Sequence, residues 1–215
     1  MTGVALVLLW LSAVLGLALW ARRHWPDQPE WSRKLLHIGT GPVVLIAWAT
    51  GIDRWIALPA AAVVTLLAAL NHRYRLLPAI EDVGRHSYGT VAYGASITLL
   101  LALFWPEQPQ AVAAGVLVMA LGDGLAGLLG PLIPSASWQI LGQRKSVVGT
   151  AAMAAAALLV LLLLRQLGGP APGPGALVLI SLTATLLEQV AVLGLDNLSV
   201  PVVTGLLWSG LALRP

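Results

Sequence analysis

Residues 147–164 read Val-Val-Gly-Thr-Ala-Ala-Met-Ala-Ala-Ala-Ala-Leu-Leu-Val-Leu-Leu-Leu-Leu and contain no charged side chain. A helix of about 18 or more apolar residues is long enough to cross the hydrocarbon core of a bilayer. Three further stretches are also free of charged residues, at residues 1–21, 87–105 and 108–122. These runs predict a chain that crosses a membrane several times.

The composition of the whole chain indicates the same class. Hydrophobic residues make up 58% of its 215 positions and charged residues only 10%, whereas a soluble domain carries about 25% charged residues. The absence of cysteine excludes disulfides, thiolate metal sites and a cysteine nucleophile. The net charge of +3 does not favour nucleic-acid binding, because the basic residues lie in short loops, where they set membrane topology.

Eight candidate spans follow, at residues 2–21, 35–52, 55–70, 87–105, 110–130, 147–164, 176–194 and 198–213. The third and eighth are short, so seven spans are an alternative. Most basic residues fall after odd-numbered spans: Arg22, Arg23, Arg33, Lys34, Arg73, Arg75, Arg85, Arg144 and Lys145. Because basic loops stay in the cytoplasm, we expect the N-terminus outside.

The expected fold is therefore an all-α, polytopic integral membrane helical bundle of seven or eight transmembrane helices. We expect one domain over residues 1–215, with a first span and loop at 1–30. The first run is expected to be retained rather than cleaved as a signal peptide, because it has no small-residue cleavage site and Arg22 and Arg23 follow it. No Arg- and Ser-rich transit peptide is expected ahead of it.

Two acidic residues interrupt the apolar runs. Asp123 stands between Gly122 and Gly124, and Glu188 follows a run without charge. An ionised carboxylate in hydrocarbon costs several kcal/mol unless it is paired, hydrated or bound to metal, so both are candidate functional residues. Glycines on either side of Asp123 would admit a ligand. A capped glycine turn or close helix packing is the alternative for this segment.

Asp196 and Asn197 follow Glu188 along the chain. On a continuous helix Glu188 would lie about 12 Å deeper in the membrane than Asp196. Oxygen ligands suit Mg²⁺, which keeps several waters and needs few carboxylates. Glu188, Asp196 and Asn197 are thus candidates for metal ligands, or for a ligand and a base. A turn before Pro201 is the alternative for Asp196 and Asn197.

A first cationic segment precedes the sixth span. Arg144, Lys145 and Ser146 come directly before it, and Gly149 and Thr150 lie in its first turn. Unpaired N–H groups and the dipole at a helix N-terminus attract anions. The segment is a candidate phosphate site, with an ordinary cytoplasmic anchor as the alternative for its cations.

A second cationic segment opens the second span with Arg33, Lys34 and His37. Arg33 and His37 are four residues apart and therefore share a helix face. His37 could contact phosphate or relay a proton, or it could be an interfacial side chain that hydrogen-bonds to a neighbour. The pair Glu81 and Asp82 in the third loop could join a metal site, with a solvated loop pair as the favoured alternative.

Several segments occur together in the order of a known family. The sequence resembles the CTP-dependent polyprenol kinases, which include phytol, farnesol and dolichol kinases, and among them the phytol kinases most closely. The matching segments are Arg-Lys-Leu-Leu-His-Ile-Gly-Thr-Gly-Pro at 33–42, Val-Gly-Arg-His-Ser-Tyr-Gly-Thr at 83–90, Gly-Asp-Gly-Leu-Ala-Gly-Leu-Leu-Gly at 122–130, Lys-Ser-Val-Val-Gly-Thr at 145–150, Glu188, and Asp-Asn-Leu-Ser-Val-Pro at 196–201. They span residues 31–205, the expected catalytic region.

This resemblance implies a kinase that transfers phosphate from CTP, with Mg²⁺, to phytol or a related prenyl alcohol such as geranylgeraniol. The product would be phytyl phosphate for tocopherol and prenyl-lipid synthesis. The resemblance also implies a bacterial or cyanobacterial plasma or thylakoid membrane, with the active face cytoplasmic. Val147 and Val148 stand where the family commonly has Trp-Glu, and residues 131–138 lack its Gly-Arg turn. If the family's glutamate orients metal or nucleotide, its replacement by valine would change the nucleotide preference or the rate of this protein.

Resemblance and residues together give a hypothesis for the site. Asp123, Asp196 and Asn197 would hold the Mg²⁺-triphosphate, and Glu188 would accept the proton of the lipid hydroxyl. Asp123, Glu188 and Lys145 are the expected catalytic residues. The remaining residues would bind nucleotide or phosphate: Arg33, Lys34, His37, Gly122, Gly124, Arg144, Ser146, Gly149 and Thr150. Positioning and charge neutralisation are what phosphoryl transfer requires.

Three alternatives stay open at this point. The same fold could phosphorylate dolichol, diacylglycerol or farnesol, because apolar pockets discriminate weakly between apolar chains. A membrane cytidylyltransferase would also bring CTP and Mg²⁺ to a lipid, but it would release pyrophosphate. A small ion-coupled transporter would use Asp123 and Glu188 as ion sites that are reachable from both sides of the membrane.

Overall fold

The structure, a computed structural model, describes residues 2–74 and 87–212. Within these ranges the chain forms helices and one short hairpin. The elements are α1 (Thr2–His24), α2 (Pro29–Thr40), α3 (Val43–Ala49), α4 (Arg54–Tyr74), α5 (Gly89–Phe104), α6 (Pro109–Leu132), β1 (Ser137–Ile140), β2 (Gln143–Ser146), α7 (Val147–Gln166), α8 (Pro174–Val190) and α9 (Asp196–Ala212). Glu81, Asp82 and positions 83–86 of one family segment lie outside the described residues.

Helix α6 is the centre of the bundle. Its continuous buried run from Ala111 to Ala120 packs against α2, α3, α5, α7 and α9. Small side chains let these neighbours approach closely. At Gly115 a Cβ atom would meet the backbone carbonyl of Pro201 in α9, so glycine is what lets these two helices touch. The same central helix carries Asp123 into the interior.

The outer helices present apolar side chains to their surroundings. In α4 only Asn71 is buried, and Leu66 and Leu67 are more than half exposed. In the described part of the chain, α1, α4, α6 and α7 are long and apolar enough to cross a membrane. Leucine-covered outer faces suit contact with lipid. The structure is therefore that of a nearly all-helical protein with four candidate membrane-spanning helices.

A small β-hairpin corrects the expectation of a fold without strands. Strand β1 pairs with β2 in antiparallel register, with Ile140 opposite Gln143. The two residues between them, Leu141 and Gly142, both have positive φ, as tight hairpin turns require. The cationic segment before the sixth span is thus a strand, and Ser146 caps the helix that follows it, accepting a hydrogen bond from the Gly149 N–H at 3.2 Å.

Two predicted spans are interrupted. The span predicted at 35–52 is divided into α2 and α3 at Gly41 and Pro42, because proline has no N–H to continue the helical ladder. The span predicted at 176–194 ends at Val190, and the chain turns through Leu193 and Gly194, both with positive φ, before α9 begins. This turn between α8 and α9 determines how close Glu188 and Asp196 lie to each other.

Candidate active site

Three carboxylates from three helices meet inside the bundle. Asp123 comes from α6, Glu188 from the last turn of α8, and Asp196 from the first residue of α9. One carboxylate oxygen from each lies within 4.8 Å of the others. Asp123 and Glu188 are buried, and Asp196 is partly buried. Like charges this close repel strongly unless cations lie among them.

The turn between α8 and α9 is what brings Glu188 and Asp196 together. The separation of about 12 Å calculated for a continuous helix does not apply, because α8 stops at Val190. Leu193 and Gly194 reverse the chain with positive φ, and the Asn197 N–H bonds to the Gly194 carbonyl. The two carboxylates therefore share one site although eight residues separate them in sequence.

Lys34 neutralises Asp123. The lysine, on α2, is only 3% exposed, and its Nζ donates to Asp123 Oδ2 at 2.6 Å and to the Asp123 carbonyl at 3.0 Å. The end of its side chain occupies the space where Gly127 of α6 has no Cβ. Charge-assisted bonds of this kind are among the strongest that side chains make.

His37 lies one turn further along α2 and faces the same carboxylate. Its Nε2 is 3.4 Å from Asp123 Oδ2 and 3.3 Å from the carbonyl of Met119. The ring packs on Tyr93 of α5, with 4.4 Å between ring centroids. His37 therefore stands at the inner edge of the site, with its orientation fixed by both neighbours.

Lys145 neutralises Glu188 from the opposite side. Its Nζ, extended from β2, donates to Glu188 Oε1 and, at 2.8 Å, to the Glu188 carbonyl. The other carboxylate oxygen accepts from Gln189 Nε2 at 2.8 Å, and the same amide nitrogen donates to Thr150 Oγ1 at 3.0 Å. The hairpin thus positions a lysine against the end of α8.

Asn197 supports the third carboxylate. Its Nδ2 donates to Asp196 Oδ1 at 3.2 Å and to the Gly194 carbonyl at 3.3 Å. The residue is buried at the start of α9 beside Gly89 of α5. In this arrangement Asn197 orients Asp196, and the amide oxygen of Asn197 is the atom that could serve as a ligand.

Two predicted arginines lie at the edge of the cluster and contact other groups. Arg33 is paired with Glu30 one turn earlier on α2, with Nη2–Oε2 of 2.7 Å. Arg144 is exposed on β2, and its Nε donates to Ser137 Oγ at 3.3 Å. Neither contact involves the three carboxylates, so within residues 2–74 and 87–212 Lys34 and Lys145 are the lysine and arginine side chains that pair with them.

The predicted glycines mainly serve close helix packing. A Cβ at Gly122 would meet Met153 of α7, and one at Gly124 would meet Ile38 of α2. At the start of α7, Gly149 donates its N–H to the cap residue, and Thr150 Oγ1 donates to the Ser146 carbonyl at 2.9 Å. These contacts fix the helices that carry the site.

Among the described residues, the carboxylates and lysines of the site give an excess of one negative charge. Asp123, Glu188 and Asp196 contribute three negative charges, and Lys34 and Lys145 contribute two positive charges. The free acceptor positions are carboxylate oxygens, which are hard ligands suited to Mg²⁺. The arrangement can therefore take a divalent cation, while the two ammonium groups are suited to bind phosphate oxygens.

Comparison with known proteins gives the family. Over 214 residues, covering 96% of this chain and 91% of the relative, the sequence is 38% identical to a phytol kinase of Synechocystis sp.. The chain belongs to the phytol kinase family. No protein-family model matches the chain, and no solved structure matches it. The aligned region of the phytol kinase covers nearly the whole of this chain.

Two polar residues that contact the site of this phytol kinase family member were not predicted from the sequence. Gln189 connects Glu188 to Thr150, and its signal was a second polar residue beside Glu188 in an apolar helix. Tyr93 supports the His37 ring, and its only signal was a phenol within an apolar run. The pairing of Lys34 with Asp123 joins residues 89 positions apart and has no local signal.

Proposed function

We propose that this protein is a prenyl alcohol kinase that transfers the γ-phosphoryl group of CTP to phytol or a related prenyl alcohol, such as geranylgeraniol. The observation that carries the proposal is a cluster of three carboxylates with two lysines among them, in a chain of the phytol kinase family. Phosphoryl transfer needs positioning and charge neutralisation more than covalent chemistry. The product, phytyl phosphate, would feed tocopherol and prenyl-lipid synthesis.

The proposal includes a multi-pass topology with seven or eight spans and the N-terminus outside. Its support is the agreement between the site and the predicted cytoplasmic loops. Lys34 lies in the second turn of α2, Thr150 in the first turn of α7 and Glu188 in the last turn of α8, and Asp196 is the first residue of α9. These helix ends adjoin loops that follow odd-numbered predicted spans; the loops after the first and fifth predicted spans carry basic residues, and the loop after the seventh carries none. The active face is therefore cytoplasmic, in a plasma or thylakoid membrane.

Asp123 and Asp196 are the proposed Mg²⁺ ligands, with Asn197 beside them. Their oxygens fit because they are close together and are hard donors, and because the cluster that they form with Glu188 carries more negative charge than the lysines neutralise. When bound, Mg²⁺ would neutralise the triphosphate and hold its β- and γ-phosphates. One or two protein carboxylates together with water and nucleotide oxygens are the usual ligand set for this ion.

Lys34 and Lys145 are the proposed phosphate ligands, with Arg144 at the rim. In the structure each lysine is paired with a carboxylate. We expect an exchange of partners on nucleotide binding, in which the ammonium groups turn towards phosphate oxygens. Such donors then lie where negative charge develops during transfer. Arg33 is next to Lys34 on α2 and would add to the positive potential there, and His37, one turn further on, would contact phosphate through a ring nitrogen.

Glu188 is the proposed base. The alcohol oxygen forms a bond to the γ-phosphorus, the bond from that phosphorus to the bridging oxygen breaks, and CDP leaves. The alcohol proton passes to the Glu188 carboxylate. Its position at the end of α8, close to both metal-ligand candidates, allows the acceptor hydroxyl to reach the nucleotide from within the bundle.

The proposal is tested by product analysis on purified protein in liposomes with Mg²⁺, labelled CTP or ATP, and phytol. We expect phytyl phosphate and CDP. Asp123→Asn and Glu188→Gln should each lower turnover by about a hundredfold or more. Asp53→Asn is the matched control, since Asp53 caps the start of α4 through the Trp55 N–H and lies outside the cluster. Near-wild-type turnover in both folded site variants would contradict the assignment, and release of pyrophosphate would indicate a cytidylyltransferase.

A further inference from the structure

An apolar groove runs along the outside of the bundle between α7 and α8. It has a volume of about 490 Å³ and is lined by Val147, Ala151 and Ala154 of α7, Leu182 and Leu186 of α8, and Trp138 of the hairpin. Several of these side chains are exposed, so the groove opens towards the lipid. Val147 and Ala154 are two helical turns apart, which makes the groove about 10 Å long.

Hydrogen bonds connect one lining residue of this groove to the carboxylate cluster. Thr150 lines the groove, and its Oγ1 accepts a hydrogen bond from Gln189 Nε2. Gln189 also donates to Glu188, the proposed base. A short polar chain of Thr150, Gln189 and Glu188 therefore leads from the apolar groove into the site.

Gln189 carries a polar atom that lacks a partner. Its residue is 8% exposed, and its Oε1 is the buried side-chain atom without a hydrogen bond in residues 2–74 and 87–212. The amide cannot be turned over, because an ionised Glu188 only accepts hydrogen bonds and the NH₂ group must face it. Buried acceptors are almost always satisfied, so Oε1 is suited to a donor from a ligand.

We propose that the groove between α7 and α8 binds the hydrocarbon chain of the acceptor alcohol, and that Gln189 Oε1 accepts from its hydroxyl as the alcohol arrives, before the hydroxyl turns its proton to the neighbouring Glu188 carboxylate. This inference rests on the proposed kinase function. The apolar lining matches a prenyl chain, and the one unpartnered acceptor matches its single hydroxyl. The open side allows the alcohol to enter from the bilayer without passing through water.

The groove acts by position rather than by hydrophobic affinity. Lipid tails are as apolar as the leucines of the groove, so moving a prenyl chain from bilayer to groove gains little from the hydrophobic effect. What the groove supplies is a fixed approach of the hydroxyl to the nucleotide, and small misplacements of a reacting group are costly. Because it is about two turns long, it holds only the hydroxyl half of a long chain.

The test fills the groove and measures phosphorylation. Ala151→Phe places a ring in the groove, and the exposed side chain of Ala151 makes the change compatible with folding. Ala155→Phe is the matched control, since Ala155 lies one turn further along α7, is also exposed and does not line the groove. We expect kcat/KM for phytol to fall on the order of tenfold or more in Ala151→Phe. The KM for CTP should be unchanged, and Ala155→Phe should behave like wild type.

The outcomes separate this inference from the proposed function. A wild-type protein that phosphorylates no prenyl alcohol overturns both. An active wild-type protein whose Ala151→Phe and Ala155→Phe variants have equal kcat/KM for phytol overturns the groove alone. A loss in Ala151→Phe that appears only as a raised KM for CTP overturns the groove as well.

A second measurement needs no turnover. A prenyl alcohol with a photoreactive diazirine near its hydroxyl end is added to the wild-type protein in liposomes, and crosslinked peptides are mapped by mass spectrometry. We expect labelling in residues 147–166 and 174–190, reduced in Ala151→Phe. Labelling confined to the outer faces of α1 and α4, which also contact lipid, would overturn the inference.

Discussion

Replacing Lys34 by methionine removes one charge from the centre of the site and keeps most of the side-chain volume. In the structure the lysine is 3% exposed, and its Nζ is 2.6 Å from Asp123 Oδ2. Asp123 shares its site with Glu188 and Asp196. The net charge of the carboxylates and lysines of the site changes from −1 to −2, and the His37 ring stays 3.4 Å from Asp123 Oδ2.

The loss of stability expected for Lys34→Met follows from the distance between Lys34 Nζ and Asp123 Oδ2 and from the burial of this pair. Two unit charges 2.6 Å apart attract by about 6 kcal/mol at an effective dielectric constant of about 20. Loss of the lysine's own desolvation cost offsets part of this attraction. Removing one partner of a buried pair costs about 3–5 kcal/mol, because the other charge stays buried without compensation. We expect Lys34→Met to lower the free energy of unfolding by this amount.

The double variant Lys34→Met with Asp123→Asn separates charge from packing. It retains two carboxylates and Lys145, and so returns the site to a net charge of −1. If the two single losses of stability were additive, the double variant would be the least stable. Its free energy of unfolding should instead be higher than this additive value by about 2 kcal/mol or more, since contacting residues couple strongly. The measurement is reversible denaturant unfolding in detergent micelles for wild type, both singles and the double.

Magnesium provides an internal control for the same experiment. If the carboxylates bind Mg²⁺, the ion should restore part of the stability of Lys34→Met, because a ligand that binds only the folded state stabilises it by mass action. It should restore little in Asp123→Asn. Additive single effects, or a Lys34→Met variant as stable as wild type, would refute the argument that this pair balances the site.

Two further predictions concern other parts of the chain. Gly115→Ala should destabilise the protein by about 1–3 kcal/mol, because the new methyl group meets the carbonyl of Pro201. Gly210→Ala is the control and should not destabilise it, because the space around Gly210 is open. Equal melting temperatures for the two variants would contradict the contact between Gly115 and Pro201. Arg144→Gln should raise the KM for nucleotide about fivefold, as about 1 kcal/mol for an exposed charge implies, with unfolding unchanged because the arginine bonds only weakly to Ser137. An unchanged KM would exclude Arg144 from the phosphate site.

The positions of the helices could be predicted because each depends on a local property. A run without charge is visible in sequence, and α6 and α7 lie close to where such runs place them. The predictions failed where a short backbone feature overrides the apolar pattern. Pro42 breaks an apolar stretch that otherwise continues, and Leu193 adopts a positive φ that leucine rarely adopts. Neither feature changes the hydropathy of its segment.

The members of the site were easier to find than their partners. Asp123 and Glu188 are conspicuous because charge is costly inside a membrane. Their partners depend on which helices pack together. Lys34 reaches Asp123 only because α2 lies on α6, and Lys145 reaches Glu188 only because the hairpin projects against α8. The local sequence around each lysine therefore indicates phosphate binding but gives no sign of its pairing with a carboxylate.

This pairing follows from the needs of a buried phosphoryl-transfer site. Three carboxylates within 4.8 Å repel one another strongly in the interior unless cations lie among them, and carboxylates are the protein ligands that Mg²⁺ usually takes. Lys34 and Lys145 balance these carboxylates in the structure. In the proposed mechanism the same ammonium groups would turn to the triphosphate, so that binding would exchange one set of ion pairs for another instead of burying new charge, which would keep the cost of desolvation low. We therefore expect removal of either lysine to weaken stability and nucleotide binding together, whereas removal of Arg144 weakens nucleotide binding alone.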